Sequence, residues 1–172
     1  HGLSPSYALN TPPKSVNNTN DFTPMGFNDN DLGFTSWERK RLGFIGGSMI
    51  ASSSVGGTQF VESLEKTPTG AVKRWEAAGG IAVEVRDLSP ASLPSVQLYG
   101  GGTINDLDRV TECLQYALPV GQIFARNGWG YRTESIPADH SGAWVSAFPY
   151  AGPSTVTCQP GSHQSGSASK TG

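Results

Sequence analysis

Residues 81–86 place the tightest constraint on the fold. Ile81, Val83 and Val85 alternate with Ala82, Glu84 and Arg86, so an extended chain sets three aliphatics on one face and both charges on the other. That pattern predicts a half-buried strand, which needs a second layer to cover its apolar side. Val96-Gln97-Leu98-Tyr99 repeats the alternation. Residues 122–126 and 129–132 flank Asn127-Gly128, the dipeptide of a type I′ hairpin turn. A further strand is expected over 143–148, stopped by Pro149.

Three stretches carry helical spacing instead. Phe60, Val61 and Leu64 share a helical face, and Val72 and Trp75 do so after Pro68, with Gly79-Gly80 as the C-terminal cap. Thr103 or Asn105 caps a third helix, whose stripe is Leu107, Val110, Leu114 and Ala117. Residues 1–36 read as loops, punctured by Pro5, Pro12, Pro13 and Pro24, with Phe22, Phe27, Phe34 and Trp37 pinning the stretch to a core. Beyond Cys158 the composition is that of a flexible Ser/Gly linker. The expected organisation is therefore one domain, 1–158, followed by a tail, 159–172. The expected fold is mainly β: an immunoglobulin-like antiparallel β-sandwich with inserted short helices and long loops.

Composition narrows the partners. Only 15% of the 172 residues are charged and the net charge is −2, against roughly 25% charged in an average soluble domain. With no basic cluster, nucleic acid and anionic membranes are not expected as partners. No apolar run approaches the ~18 residues of a membrane-spanning helix. A weakly charged chain rich in Gly, Ser and Asn suggests a secreted domain, and in that setting Asn17-Asn18-Thr19 is a glycosylation sequon at Asn17. The two cysteines, Cys113 and Cys158, permit one disulfide or stand as two buried thiols. A bridge between them would contribute about 4 kcal/mol in the chain-entropy picture.

The familiar catalytic constellations are missing. Asp139-His140-Ser141 holds the three residue types of a hydrolytic triad, but neighbours along a chain point apart. Gly100-Gly101-Gly102 lacks the lysine and spacing of a phosphate loop. His1 offers a different chemistry. Its α-amino nitrogen and ring Nδ1 can close a chelate ring on one metal ion, and a second histidine adds a third nitrogen. An all-nitrogen, near-tetragonal set suits copper(II). His163 lies in the tail, so His140, just before the 143–148 strand, is the expected second ligand. Tyr150 is the candidate axial residue, with Phe148 able to fill that space and Tyr131 a weaker choice. Gln122 and Glu134 are expected to orient a bound oxygen species.

His1-Gly2, His140 and Tyr150, set ahead of Cys158 and a Ser-rich tail, resemble the pattern of the lytic polysaccharide monooxygenases. The small size, single possible disulfide and trailing Ser/Gly segment look most like the oomycete, pectin-active branch, auxiliary activity family 17. The resemblance implies one copper ion cycling between Cu(II) and Cu(I), an external reductant, and O₂ or H₂O₂ as co-substrate. It also implies oxidative cleavage of glycosidic bonds in a plant cell-wall polysaccharide, with pectin (homogalacturonan) first, by a monomer. No row of exposed aromatics is legible in the sequence, which favours a soluble, acidic or amorphous polymer whose carboxylates Arg126, Arg132 and Lys14 would meet. Two other readings stand beside it. One is a copper-binding protein of the same fold without catalysis, in which Asp139 replaces the axial tyrosine. The other is a secreted binding or effector module.

Overall fold

A computed structural model describes residues 34–88, 90–101 and 112–155, with the side chains of 101 and 112–116 left aside. His1, Asn17, Lys14, Cys158, His163, the 158/159 boundary and the side chain of Cys113 lie outside what it describes. The described chain is mainly β, a two-layer sandwich as the alternating patterns predict. One layer has the strand order β1-β3-β4-β5-β6 and the other β2-β9-β8-β7. The strands are β1 (Ile50–Ser52), β2 (Gly57–Glu62), β3 (Arg74–Ala77), β4 (Ile81–Arg86), β5 (Ser95–Gly101), β6 (Glu112–Ala117), β7 (Ile123–Arg126), β8 (Trp129–Ser135) and β9 (Gly142–Pro149). Neighbours pair antiparallel except β1 with β3, which run parallel. Val61, Val83, Val85, Leu98, Phe124 and Val145 meet between the layers with no exposed surface.

Three expected helices are corrected over the described residues. Residues 58–62 belong to β2, where Val61 enters the core and Phe60 turns outward onto Trp144. Trp75 belongs to β3, and Gly79-Gly80 forms the β3–β4 turn with φ of 78° and 74°, not a helix cap. Residues 112–117 form β6, paired to β5. Short apolar windows fit both periods, and here partners distant in sequence decide: β2 takes its hydrogen bonds from β9, with Phe60 opposite Trp144. The Asn127-Gly128 turn forms as expected, with both residues at positive φ, 52° and 77°. At the outer edge, the N–H of Ala125 donates to Thr155 Oγ1 at 2.9 Å, and Thr155 N–H donates back to Ala125 O at 2.7 Å.

The described part of the 1–36 stretch, residues 34–36, leads directly into a helix. Thr35 caps the helix α1 (Ser36–Arg41), and Thr35 and Glu38 form a reciprocal capping box. Arg39, Lys40 and Arg41 fill its last turn, where cations complement the helix dipole. This helix covers the outward face of β4. Ser36 N–H donates to Glu84 at 2.6 Å, Arg74 donates to Ser36 Oγ at 3.0 Å, and Arg39 donates to Leu64 O at 2.8 Å. Every residue of β4 is therefore buried, Glu84 and Arg86 included. The half-buried strand of the sequence is corrected to one buried on both faces. Arg86 meets Glu65 at 2.7 Å and Glu84 at 3.5 Å.

Buried charges of this kind are costly to leave alone. Arg86→Met strips Glu84 and Glu65 of that cation and is expected to cost about 3–5 kcal/mol in urea unfolding. Lys73 forms a second buried pair with Glu62 at 2.9 Å. Burial pushes the Glu62 carboxyl up, but Lys73 and a hydrogen bond from Thr69 outweigh it, and the group titrates below the ordinary 4.5. The folded chain therefore holds fewer protons than the unfolded one across that window. This contribution to stability is complete above about pH 4.5 and declines as the pH falls through the lowered value. Glu62→Gln should lower stability at neutral pH and flatten its fall toward about pH 3, measured as urea midpoints across pH.

Candidate functional site

The two ends of the sandwich carry different residues. At one rim, β4 ends at Arg86 with Asp87 just after it, β2 runs into the 63–66 turn, and the chain crosses from β8 to β9 through residues 136–141. His140 sits in that crossing with φ of 60°, a left-handed conformation that non-glycine residues seldom adopt. Surrounding hydrogen bonds hold it there. His140 N–H donates to Pro137 O at 3.2 Å, Ser63 Oγ donates to His140 O at 2.9 Å, and Ser63 N–H donates to Ser141 O at 3.0 Å. Asp139 accepts from Ser141 N–H at 2.9 Å, and the Ser141 bonds hold its carboxyl below the usual range. The 63–66 turn is itself clamped, because Lys73 Nζ donates to Ser63 O at 2.6 Å and Lys66 O at 2.8 Å.

The imidazole is oriented as firmly as its backbone. His140 Nδ1 lies 2.8 Å from Asp87 Oδ1, with side-chain exposures of 21% and 14%. A carboxylate oxygen accepts, so a proton on Nδ1 makes this bond, and in that tautomer of the ring the lone pair is on Nε2. Metal-ligating histidines are commonly oriented in this way by a carboxylate behind them. Asp87 is fixed in turn, its N–H donating to Glu65 Oε2 at 2.8 Å while Glu65 Oε1 takes Arg86. An open cavity of about 440 Å³ lies here, lined by Lys66, Asp87, Leu88, Pro90, Asp139 and His140.

The other expected site residues divide between the rims. Tyr150 follows the far end of β9, its N–H donating to Gly128 O at 2.8 Å in the β7–β8 turn. Eight strand residues lie between it and the His140 crossing, roughly 25 Å at ~3.3 Å per residue. The expectation that Tyr150 completes a ligand set with His140 is corrected by that separation, and Phe148 shares the far end. Tyr131 is also corrected: it is fully buried, donates to Ala78 O, and burial pushes its phenol up to about 12. Glu134 stands on β8 toward the His140 rim, but Arg132 and Ser146 already occupy its carboxylate and hold its pKa down. Gln122 is exposed beside β7, the edge strand two places from β9.

Asp87, Ser63 and Lys66 are the site residues that sequence reasoning missed. They lie 53 to 77 positions from His140, and only the layer topology brings them to it. Of the two arginines expected to meet uronate carboxylates, Arg126 is buried, its Nη1 without a hydrogen-bond partner, and Arg132 is bound to Glu134. Aromatic side chains do align, contrary to expectation, on the outer face of the four-stranded sheet. Among the described residues, no three His, Cys, Asp or Glu side chains converge as a metal set. No protein-family model, curated protein or solved structure matches this chain.

The strain at His140 can be measured apart from its ring. His140→Gly and His140→Ala both lose the Asp87 bond, but only alanine keeps the left-handed penalty of roughly 1–2 kcal/mol. The glycine variant is expected to be the more stable of the two by about 1 kcal/mol in urea unfolding.

Proposed function

We propose that the chain is a copper-dependent monooxygenase or peroxygenase of a secreted polysaccharide-degrading system, with His140 as one ligand of the metal. The supporting observation is an imidazole oriented through Nδ1 by Asp87, on a residue that lines an open rim cavity. His1 supplies the α-amine and a second imidazole when residue 1 is a free N-terminus. Those three nitrogens suit copper(II). A bound copper ion would supply one-electron chemistry, with O₂ or H₂O₂ and an external reductant, able to take a hydrogen atom from a sugar C–H.

The chain's own residues do the rest. Asp87 fixes the ring, and Ser63 and Lys73 hold the backbone that carries it. Asp139 and Lys66 set polar groups at the cavity wall. The α-amine, with a pKa of ~7.7–8.0, gives up its proton on binding, so copper affinity should fall with acid. The resemblance names pectin (homogalacturonan) as the polymer, but of the two arginines expected to meet its carboxylates Arg126 is buried and Arg132 is bound to Glu134.

One observation favours a second reading. Asp139 lines the cavity while Tyr150 lies at the far rim, which suits a copper-binding protein of the same fold without catalysis. Both readings are tested on a chain beginning at His1. Copper loading should give an axial, three-nitrogen electron paramagnetic resonance spectrum. His140→Ala should abolish that spectrum, and Asp87→Ala should weaken copper binding by roughly 10–100-fold. Oxidised oligosaccharides released with ascorbate select the enzyme, and their absence beside intact copper binding selects the binding protein. Copper affinity unchanged in His140→Ala would end both readings and leave a secreted binding module.

A further inference from the structure

The outward residues of β9 are Trp144, Ser146 and Phe148, and Trp144 is 45% exposed. Phe60 of β2 lies against Trp144 with ring centroids 5.2 Å apart. A Cβ on Gly142 would run first into the Val61 carbonyl oxygen of β2 and would come within 2.9 Å of Glu62 Cα and of that Phe60 ring. At the other end of the strand Phe148 and Tyr150 meet edge to face at 6.2 Å. A Cβ on Gly130 would strike Phe148 at 2.7 Å and Tyr150 at 3.0 Å. At this second station a glycine thus removes the side chain that would lift the aromatic pair off the sheet, while at the first Gly142 lets β9 approach the β2 backbone beneath the Phe60 ring. The two stations are four residues apart along β9, about 13 Å at ~3.3 Å per residue.

The ground between them is polar. Thr58 and Ser146 share a hydrogen bond at 2.8 Å. Arg132 is held by Glu134 at 2.9 Å and places its guanidinium over the Phe148 ring at 5.7 Å. Arg132 and Glu134 cancel each other's charge. A polyanion therefore finds the cation already taken, and a protein partner finds its apolar contact interrupted where an interface core is depleted of charge. An uncharged pyranose chain fits all of it. Its C–H faces stack on aromatic rings, and its hydroxyl edges bond to serine, threonine, carboxylate and guanidinium groups.

We propose that this row is a docking track for an uncharged, linear polysaccharide, running along β9 toward the rim that carries His140. The idea of delivery to that rim rests on the polysaccharide reading above, whereas docking itself needs no copper. The test uses the full chain stripped of metal. Cellohexaose, xylohexaose, mannohexaose and hexagalacturonate are titrated by calorimetry and by tryptophan fluorescence. At least one neutral hexaose should bind more tightly than hexagalacturonate. Trp144→Ala and Phe148→Ala should each weaken that binding roughly tenfold, Trp144→Phe should restore most of it, and Leu93→Ala, at an exposed position on the β4–β5 connection, should leave it unchanged. The proposal is overturned if no neutral hexaose binds, if hexagalacturonate binds best, or if both alanine variants bind as well as the parent. Concentration-dependent dimers lost in Trp144→Ala would overturn it too, giving the face to a second copy of the chain. Failure of the copper reading would show instead as lost metal binding with glycan binding intact.

Discussion

Glu84 and Arg86 stand side by side on the outward face of β4, where neither touches water. Much of the described structure is arranged around that pair. Glu84 takes a backbone donor from α1, which fastens the helix over the sheet. Arg86 takes Glu65, whose second oxygen accepts from the Asp87 backbone. Asp87 then sets the His140 ring. A chain of charge-assisted contacts thus runs from the covering helix, through the sheet, to the rim cavity. In a low-dielectric setting such a chain is costly unless every member is satisfied, and it therefore favours one arrangement over its near alternatives.

Sequence reading succeeded where period and turn chemistry agreed locally. Ile81, Val83 and Val85 point inward as their alternation says, and Asn127-Gly128 turns the hairpin that the dipeptide predicts. It failed where the deciding partner was distant. Phe60 next to Val61 fits a helix or a strand equally well until β9 is known to lie alongside. The outward charges of β4 read as a solvent face because nothing in residues 81–86 announces the helix above them. That helix did leave a local signal, since Thr35 and Glu38 have capping-box spacing ahead of three basic residues.

The candidate site was legible in the same partial way. Elimination among three histidines makes His140 the expected donor, but the carboxylate that orients its ring is 53 residues away and follows the end of another strand. Tyr150 shows the opposite failure. Ten residues of separation look short in sequence, yet an extended strand turns them into most of the length of the molecule's β layer. Proximity along a chain is a guide to proximity in space only where the chain bends.

The pairing of Ala125 with Thr155 bears on how copies of the molecule behave toward one another. β7 closes its sheet at the side, and a bare side strand offers its amides and carbonyls to any extended segment that drifts past. Here the chain's own return occupies that rail at Ala125. An intruding strand would have to break two hydrogen bonds before making its first, which guards this border of the sandwich against strand-by-strand growth into aggregates.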